Sequence, residues 1–218
     1  MMKIFGMILS PYVTRVALAA RHKGLKHTIT MPKDGTKTPA FLKMNPLGKM
    51  PVIKDGATTL FESGVILEYI DAKYKKKRLI PSEAKAAAKV RLMAAFFAEY
   101  VQGNVSPLFY HLDPAKRDNA VVEAKTAELK KMLDIAEKMM GKPFAAGAAF
   151  SLADCYAIPA IFYVDTLLPV FGATGLLKPH KKLSAYAAKM RKDKMVASVL
   201  REMDESWAAW QQPKAQTA

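Results

Sequence analysis

Two serines stand where extended backbone gives way to helix: Ser10 before Pro11, and Ser63 before the apolar-periodic run Val65, Ile66, Tyr69, Ile70. A serine at such a point has two uses. Its oxygen can accept from the free N–H groups of the helix's first turn. Alternatively, those N–H groups and the positive end of the helix dipole can hold an anion. Ser63, with Gly64 in the first turn, can therefore take a ligand carboxylate as readily as cap its own helix. Ser10-Pro11 by itself is a common helix start, with serine at the N-cap and proline at the first helical position. Other chemistries find no support. His22, His27, His111 and His180 are scattered, no pair has helical ligand spacing and no cysteine cluster accompanies them, so no metal site is expected. There is no glycine-rich phosphate loop. Cys155 follows Asp154 in an apolar run and reads as a packing thiol rather than a nucleophile. Trp207 and Trp210, at i and i+3, read as packing.

The elements that would position these serines are legible around them. Lys3 to Ile8 reads as a strand; the apolar stretch Ile4 to Leu9 is too short for a signal h-region, and no small-residue cleavage site follows it. A helix follows from Pro11, with Val13, Val16, Ala17 and Ala20 as its apolar stripe and Lys23-Gly24 as its stop. His27 to Met31 is a second strand, which completes a βαβ unit. A short helix is expected near Pro39 to Met44. Pro51 then opens the apolar pair Val52-Ile53 and belongs at the start of a strand, where its missing N–H costs no ladder bond. Asp55-Gly56 turns the chain and Thr58 to Phe61 returns it, a hairpin set by an Asp-Gly turn. Ser63 starts the next helix. This order, β-α-β, a short helix, then β-β-α, matches a thioredoxin-like domain.

Past Arg78 no strand signal appears. Ser82-Glu83 starts a long helix with Val90, Met93, Ala94, Phe97 and Val101 at helical spacing, broken or kinked at Pro107. Pro114 to Met140 repeats the period and stops at Gly141 and Pro143. Ser151-Leu152-Ala153-Asp154 is a capping box with Phe150 in the place of a hydrophobic staple. Helical pattern resumes from about Leu183 to Trp210, and Gln211 to Ala218 reads as a polar, frayed tail.

Half of the 218 residues are apolar, enough for one large or two small cores. The longest apolar run, Cys155 to Val164, contains Pro159 and precedes Asp165, so no membrane span and a soluble protein are expected. A single cysteine allows no internal disulfide and fits a reducing cytoplasm. The formal charge of +15 raises the question of nucleic acid or anionic membrane. It is concentrated in residues 1–80, which hold 15 Lys and Arg against 5 Asp and Glu. The densest cluster, Lys75-Lys76-Lys77-Arg78, sits at a helix end where cations suit the dipole. No aromatic-interleaved basic motif, zinc spacing or helix-turn-helix pattern accompanies it, so neither nucleic acid nor membrane is an expected partner.

The run Asn45-Pro46-Leu47-Gly48-Lys49-Met50-Pro51-Val52-Ile53, then Asp55-Gly56, then Glu62-Ser63-Gly64-Val65-Ile66-Leu67-Glu68-Tyr69-Ile70, resembles the glutathione-binding half of cytosolic glutathione transferases. Phe150-Ser151-Leu152-Ala153-Asp154 is similar to the Phe-Ser-x-Ala-Asp signature that opens a buried core helix in that family. Ser10-Pro11-Tyr12-Val13-Thr14-Arg15-Val16 resembles the Ser-Pro-x-x-x-Arg-Val that follows the first strand in members using serine. The departures narrow the class. Phe5 stands where tyrosine-type members place their tyrosine, Met7 where the beta class has cysteine, and Tyr12 where the zeta isomerases have cysteine. The match is to the serine-type phi, theta and tau-like enzymes.

The resemblance implies a thioredoxin-like α/β domain over 1–78, a linker over 79–84 and an all-helical domain over 85–218. It implies Ser10 as the catalytic hydroxyl and glutathione as cosubstrate, without a metal. Met50, before a cis Pro51, would present its backbone N–H and C=O to the cysteinyl part. Glu62 and Ser63 would hold the γ-glutamyl end, and Lys37 and Lys49 would face the glycyl carboxylate. A small hydrophobic electrophile would meet Leu9, Tyr12 and Tyr110 near the cleft between domains. The implied assembly is a homodimer. The other function the sequence allows is a non-catalytic interaction or regulatory module on the same fold.

Overall fold

β-branched and apolar runs form four short strands: β1 Met2–Phe5, β2 His27–Thr30, β3 Val52–Asp55 and β4 Thr58–Phe61. They build one mixed sheet in the order β2-β1-β3-β4, with β1 parallel to β2 and antiparallel to β3, and β3 antiparallel to β4. Between them run α1 Pro11–His22 and α2 Pro39–Leu42, and α3 Ser63–Lys73 follows. The helices beyond are α4 Ala84–Phe96, α5 Gln102–Val105, α6 Asn119–Met139, α7 Leu152–Thr166, α8 Lys181–Lys192 and α9 Lys194–Gln211. The computed structural model describes residues 1–211; beyond Gln211, the sequence reading of a frayed tail lies outside the described residues. The described chain divides into two compact units, Met1–Lys77 together with the described residues from Arg191, and Arg78–Met190.

In the first unit α1 packs against α3 and α9. The expected stripe of Val13, Val16, Ala17 and Ala20 is buried, but so are Thr14, Arg15, Leu18 and Ala19. α9 covers the side that a stripe facing only the sheet would leave to water. Three alanines, Ala17, Ala19 and Ala20, let the neighbouring elements approach closely. Lys23, read with Gly24 as the helix stop, is buried: its Nζ lies 2.8 Å from Asp71 Oδ1 and donates to the carbonyls of Tyr74, Lys76 and Lys77 at the end of α3.

The hairpin forms as expected, one residue later than the Asp-Gly turn implies. Asp55 pairs with Thr58, so Gly56 and Ala57 are the central residues, with Gly56 at φ +63° as the first of them. Released from the turn, Asp55 Oδ2 accepts from Tyr69 Oη, Lys73 Nζ and Tyr74 Oη at 3.1, 2.8 and 2.8 Å. Burial pushes its pKa up, and hydrogen bonds from Lys73, Tyr74 and Tyr69 outweigh burial and hold it below the ordinary 3.8. A carboxylate whose pKa is depressed on folding stabilises the fold above its unfolded pKa and loses that contribution as pH falls through the folded value. Asp55→Asn should therefore flatten the acid limb of a thermal-stability profile, with melting below pH 4 changing less than at neutral pH. An acid limb parallel to that of the unmodified protein would contradict this role.

The second unit is helical among its described residues, apart from an isolated bridge between Phe144 and Gly147. Glu83 caps α4 by accepting from the Lys85 and Ala86 N–H groups. The distortion expected at Pro107 begins earlier: Phe97–Val101 opens into a π turn that allows consecutive Phe96 and Phe97 both to be buried, and a 3-10 segment, Ser106–His111, carries Pro107. The helix expected from Pro114 starts at Asn119, because Asp118 accepts from the Ala120 and Val121 N–H groups and supplies the cap. At the capping box, Asp154 Oδ2 accepts from Ser151 N–H and Oγ, while Oδ1 accepts from Ala145 N–H and Tyr186 Oη. Leu152–Phe171 is long and apolar enough to cross a membrane by length and composition alone, which a count of uninterrupted apolar residues does not register; 67% of its 18-residue apolar window is buried inside the protein, as in the core helix of a soluble fold. The pattern from Leu183 to Trp210 is two helices, because Asp193 accepts from the Met195 and Val196 N–H groups and starts α9 afresh.

Candidate functional site

Strand register decides which loops can share a site. Phe5 pairs with Val52, and Val52 with Phe61, so the end of β1, the start of β3 and the end of β4 form one row across the sheet. Met50-Pro51 enters that row, Glu62-Ser63 leaves it, and the chain from Phe5 passes through Gly6 to the turn before Ser10. Gly6 lets these pieces close up: a Cβ there would lie 2.5 Å from Val13 Cγ2 of α1 and 3.3 Å from Met50 Cβ, and its φ is +152°. Gly6 has no part in the sequence reading. The available signal is a lone glycine at the end of a strand pattern, which marks close backbone approach.

Ser10 sits in the N-cap position of α1, with φ −68° and ψ 123°, yet its side chain makes no capping hydrogen bond. The Thr14 N–H donates to its carbonyl at 2.9 Å, the first bond of the helix. The half-buried hydroxyl is thus at a helix start without serving the helix. Met50-Pro51 is cis.

Ser63 is shifted by one place from the expected N-cap. Glu62 holds that position at φ 67°, a conformation that costs a non-glycine residue about 1–3 kcal/mol, and Ser63 is the first residue of α3. The first intrahelical bond is from Ile66 N–H to Glu62 O at 2.9 Å. The N–H groups of Ser63, Gly64 and Val65 therefore have no intrahelical acceptor and carry the positive end of the dipole. Ser63 is buried and Glu62 exposed.

Lys49 belongs to the Asn45–Lys49 loop, and Lys37 reaches that loop from outside it. Asn45, 2% exposed, donates from Nδ2 to Lys49 O at 2.7 Å and accepts the Leu47 N–H at 3.0 Å, which ties the Asn45–Lys49 loop to itself. Lys37 Nζ donates to Leu47 O at 3.4 Å and lies over Gly48, where a Cβ would come within 2.8 Å of it. Both ammonium side chains are exposed. The sequence motif includes Asn45 without giving it this scaffold role; Asn-Pro as a turn signal was the clue.

The residues expected to meet a second substrate come from both units. Leu9 is buried, and Tyr12 is 39% exposed with the Arg15 guanidinium 4.8 Å from its ring centroid. Tyr110, 83% exposed, belongs to the second unit in the Ser106–His111 segment. Among the described residues no group of three or more His, Cys, Asp or Glu side chains comes together to hold a metal, and Cys155 is buried.

Residues 4–78 match the family description "Glutathione S-transferase, N-terminal domain" and residues 119–189 match "Glutathione S-transferase, C-terminal domain". The chain belongs to the glutathione S-transferase family. This transferase is 36% identical over 214 residues to glutathione S-transferase 3 of Zea mays, covering 91% of this chain and 94% of that protein. Among solved structures, glutathione S-transferase III in its apo form superposes with a TM-score of 0.78 at 30% identity, covering 98% of this chain and 99% of that one. Glutathione S-transferase I from mais, in complex with an atrazine glutathione conjugate, superposes with a TM-score of 0.81 at 26% identity, covering 94% and 99%. The fold expected from the sequence, a thioredoxin-like sheet followed by a helical domain, is the fold of this transferase, and its class of enzyme is the one the Asn45–Ser63 motif implies.

Proposed function

We propose that this transferase binds glutathione at the sheet end where Ser10, Met50-Pro51 and Glu62-Ser63 converge, and that Ser10 stabilises the glutathione thiolate. The observation that carries the reading is the Ser10 hydroxyl, at a helix start but making no capping bond. The Met50 backbone N–H and C=O take the cysteinyl amide. Glu62 and the start of α3 at Ser63 take the α-amino and α-carboxylate groups of the γ-glutamyl end, and Lys37 and Lys49 take the glycyl carboxylate. The thiolate sulfur then attacks a hydrophobic electrophile, forming a C–S bond as the leaving group departs with the bonding electrons, or it attacks the terminal oxygen of a hydroperoxide, breaking the O–O bond to release the alcohol and leave a glutathione sulfenic acid that a second glutathione converts to the disulfide and water. Leu9, Tyr12 and Tyr110 would meet the second substrate. Support comes from the family and from the conjugate bound by the solved relative. The test is retention on immobilised glutathione followed by turnover assays against a panel of electrophiles and hydroperoxides. Retention with turnover is expected; retention without turnover would leave only a binding module, and the absence of both retention and turnover would sink the reading.

The assembly belongs to the same proposal. A homodimer is expected, supported by family resemblance, and light scattering at micromolar concentration should return about twice the 24.0 kDa chain mass. A mass near 24.0 kDa would contradict it. A cytoplasmic location, supported by the lone buried cysteine, completes the reading.

A further inference from the structure

The turn that carries Ser10 is held from inside the helix it precedes. Ser10 N–H donates to Met7 O at 3.0 Å and closes a turn with Ile8 and Leu9 in its middle. Thr14, in the first turns of α1, reaches back to this turn: its Oγ1 lies 2.5 Å from Ile8 O and 3.1 Å from Ser10 O. A hydroxyl has one proton to give. The Ser10 carbonyl already accepts the Thr14 N–H, so the shorter contact to Ile8 O takes the hydroxyl proton. A helical threonine ordinarily bonds back to a carbonyl of its own helix, one turn earlier. Here the bond leaves the helix and ties down the middle of the preceding turn. Met203 of α9 stands behind, with its Sδ 3.6 Å from Thr14 Oγ1, and Thr14 is 0% exposed, so the rotamer that aims the hydroxyl at Ile8 is walled in.

We propose that Thr14 is a positioning residue for Ser10: its hydroxyl fixes the Met7–Ser10 turn, and through it the direction from which the Ser10 hydroxyl meets the glutathione thiolate. The proposal rests on the reading of Ser10 given above. Because the Ser10 side chain makes no capping bond, its direction is set by the backbone on either side. Thr14 holds that backbone at two points, Ile8 O through its hydroxyl and Ser10 O through its N–H. A valine has the same shape and no proton to donate, so Thr14→Val leaves Ile8 O without this donor while preserving the packing against Met203.

Thiolate absorbance titrated against pH with glutathione saturating, together with steady-state kinetics, in the unmodified enzyme and in Thr14→Val, Thr14→Ser and Ser10→Ala, tests this. Thr14→Val should raise the pKa of the bound thiol by about one unit and lower kcat at neutral pH about tenfold, with the glutathione KM changing less than about twofold. Thr14→Ser keeps the hydroxyl and should recover the titration and most of the turnover. A role in packing alone would lower thermal stability in Thr14→Ser, which loses the methyl, spare Thr14→Val, and leave the titration in place in both. An unshifted titration in Thr14→Val, where Ser10→Ala shifts it, overturns the role of Thr14 and leaves that of Ser10 standing. An unshifted titration in Ser10→Ala overturns both. Thr14→Ala, which puts no methyl beside Ile8 O, makes the same prediction should the valine variant not fold; failure of both to fold would make Thr14 a folding residue and overturn the proposal.

Discussion

Ser10→Ala should lower turnover by about one to two orders of magnitude while leaving glutathione binding largely intact. A free thiol has a pKa of about 8.5, and lowering it by roughly two units needs on the order of 3 kcal/mol. A hydrogen bond to a charged group supplies roughly 1.5–3 kcal/mol, and the N-terminus of α1 adds about 0.3–2. Neither is securely sufficient alone, and together they are. In the proposed role the serine donates a hydrogen bond, since its hydroxyl is too weak an acid to serve as a base at neutral pH. Removing it leaves the dipole and the glutathione contacts proposed for Met50, Glu62 and Ser63, so KM should move little and kcat should fall. Had the serine capped α1, alanine would also cost about 1 kcal/mol of stability. Its side chain makes no such bond, so the melting temperature should hold while turnover drops. Kinetics and a melting curve on the same preparation read both. A fall in melting temperature with turnover unchanged would reverse the assignment.

Lys23→Met should cost about 3–5 kcal/mol of folding stability, the largest expected effect outside the catalytic site. The lysine and Asp71 side chains are 0% and 2% exposed, with Nζ 2.8 Å from Asp71 Oδ1. The same ammonium donates to Tyr74 O, Lys76 O and Lys77 O at 2.7, 3.1 and 3.2 Å, closing the carbonyl end of α3. Methionine matches the stem in length but brings no charge and no donors. It would leave the Asp71 carboxylate buried without its cation and those carbonyls without this donor. Urea unfolding should show a lower midpoint with an unchanged slope. Adding Asp71→Leu removes the stranded charge, so the double variant should recover part of the loss. A single variant within about 1 kcal/mol of the unmodified protein would show that the pair contributes little.

Much of the sheet unit was legible because its signals are local. Ser10-Pro11, Lys23-Gly24, Pro51 before Val52-Ile53 and the Asp-Gly turn each specify backbone within a few residues, and each element lies within a few residues of where these put it. Signals that compete locally slipped. At the hairpin, glycine took the first central position and freed Asp55 for Lys73 and the two tyrosines. At α3, Glu62 rather than Ser63 holds the cap position, with positive φ, which no rule of serine preference anticipates. What was not legible depends on distant partners. Whether Thr14, Arg15, Leu18 and Ala19 are buried depends on α9, which lies more than 170 residues further along the chain and was read with the helical domain. The roles of Gly6 and Asn45 come from the approach of Met50 and from the fold of one loop. A residue's type announces the chemistry it can do, and the neighbour that directs it is set by tertiary packing.

The central claim, that the Ser10 hydroxyl holds the glutathione thiolate, is tested most directly by titrating thiolate absorbance against pH with glutathione saturating, in the unmodified enzyme and in Ser10→Ala. The account predicts a bound thiol titrating about two units below the free value of about 8.5 in the unmodified enzyme, and a curve displaced upward by about one to two units in the variant. Superimposed curves would contradict it.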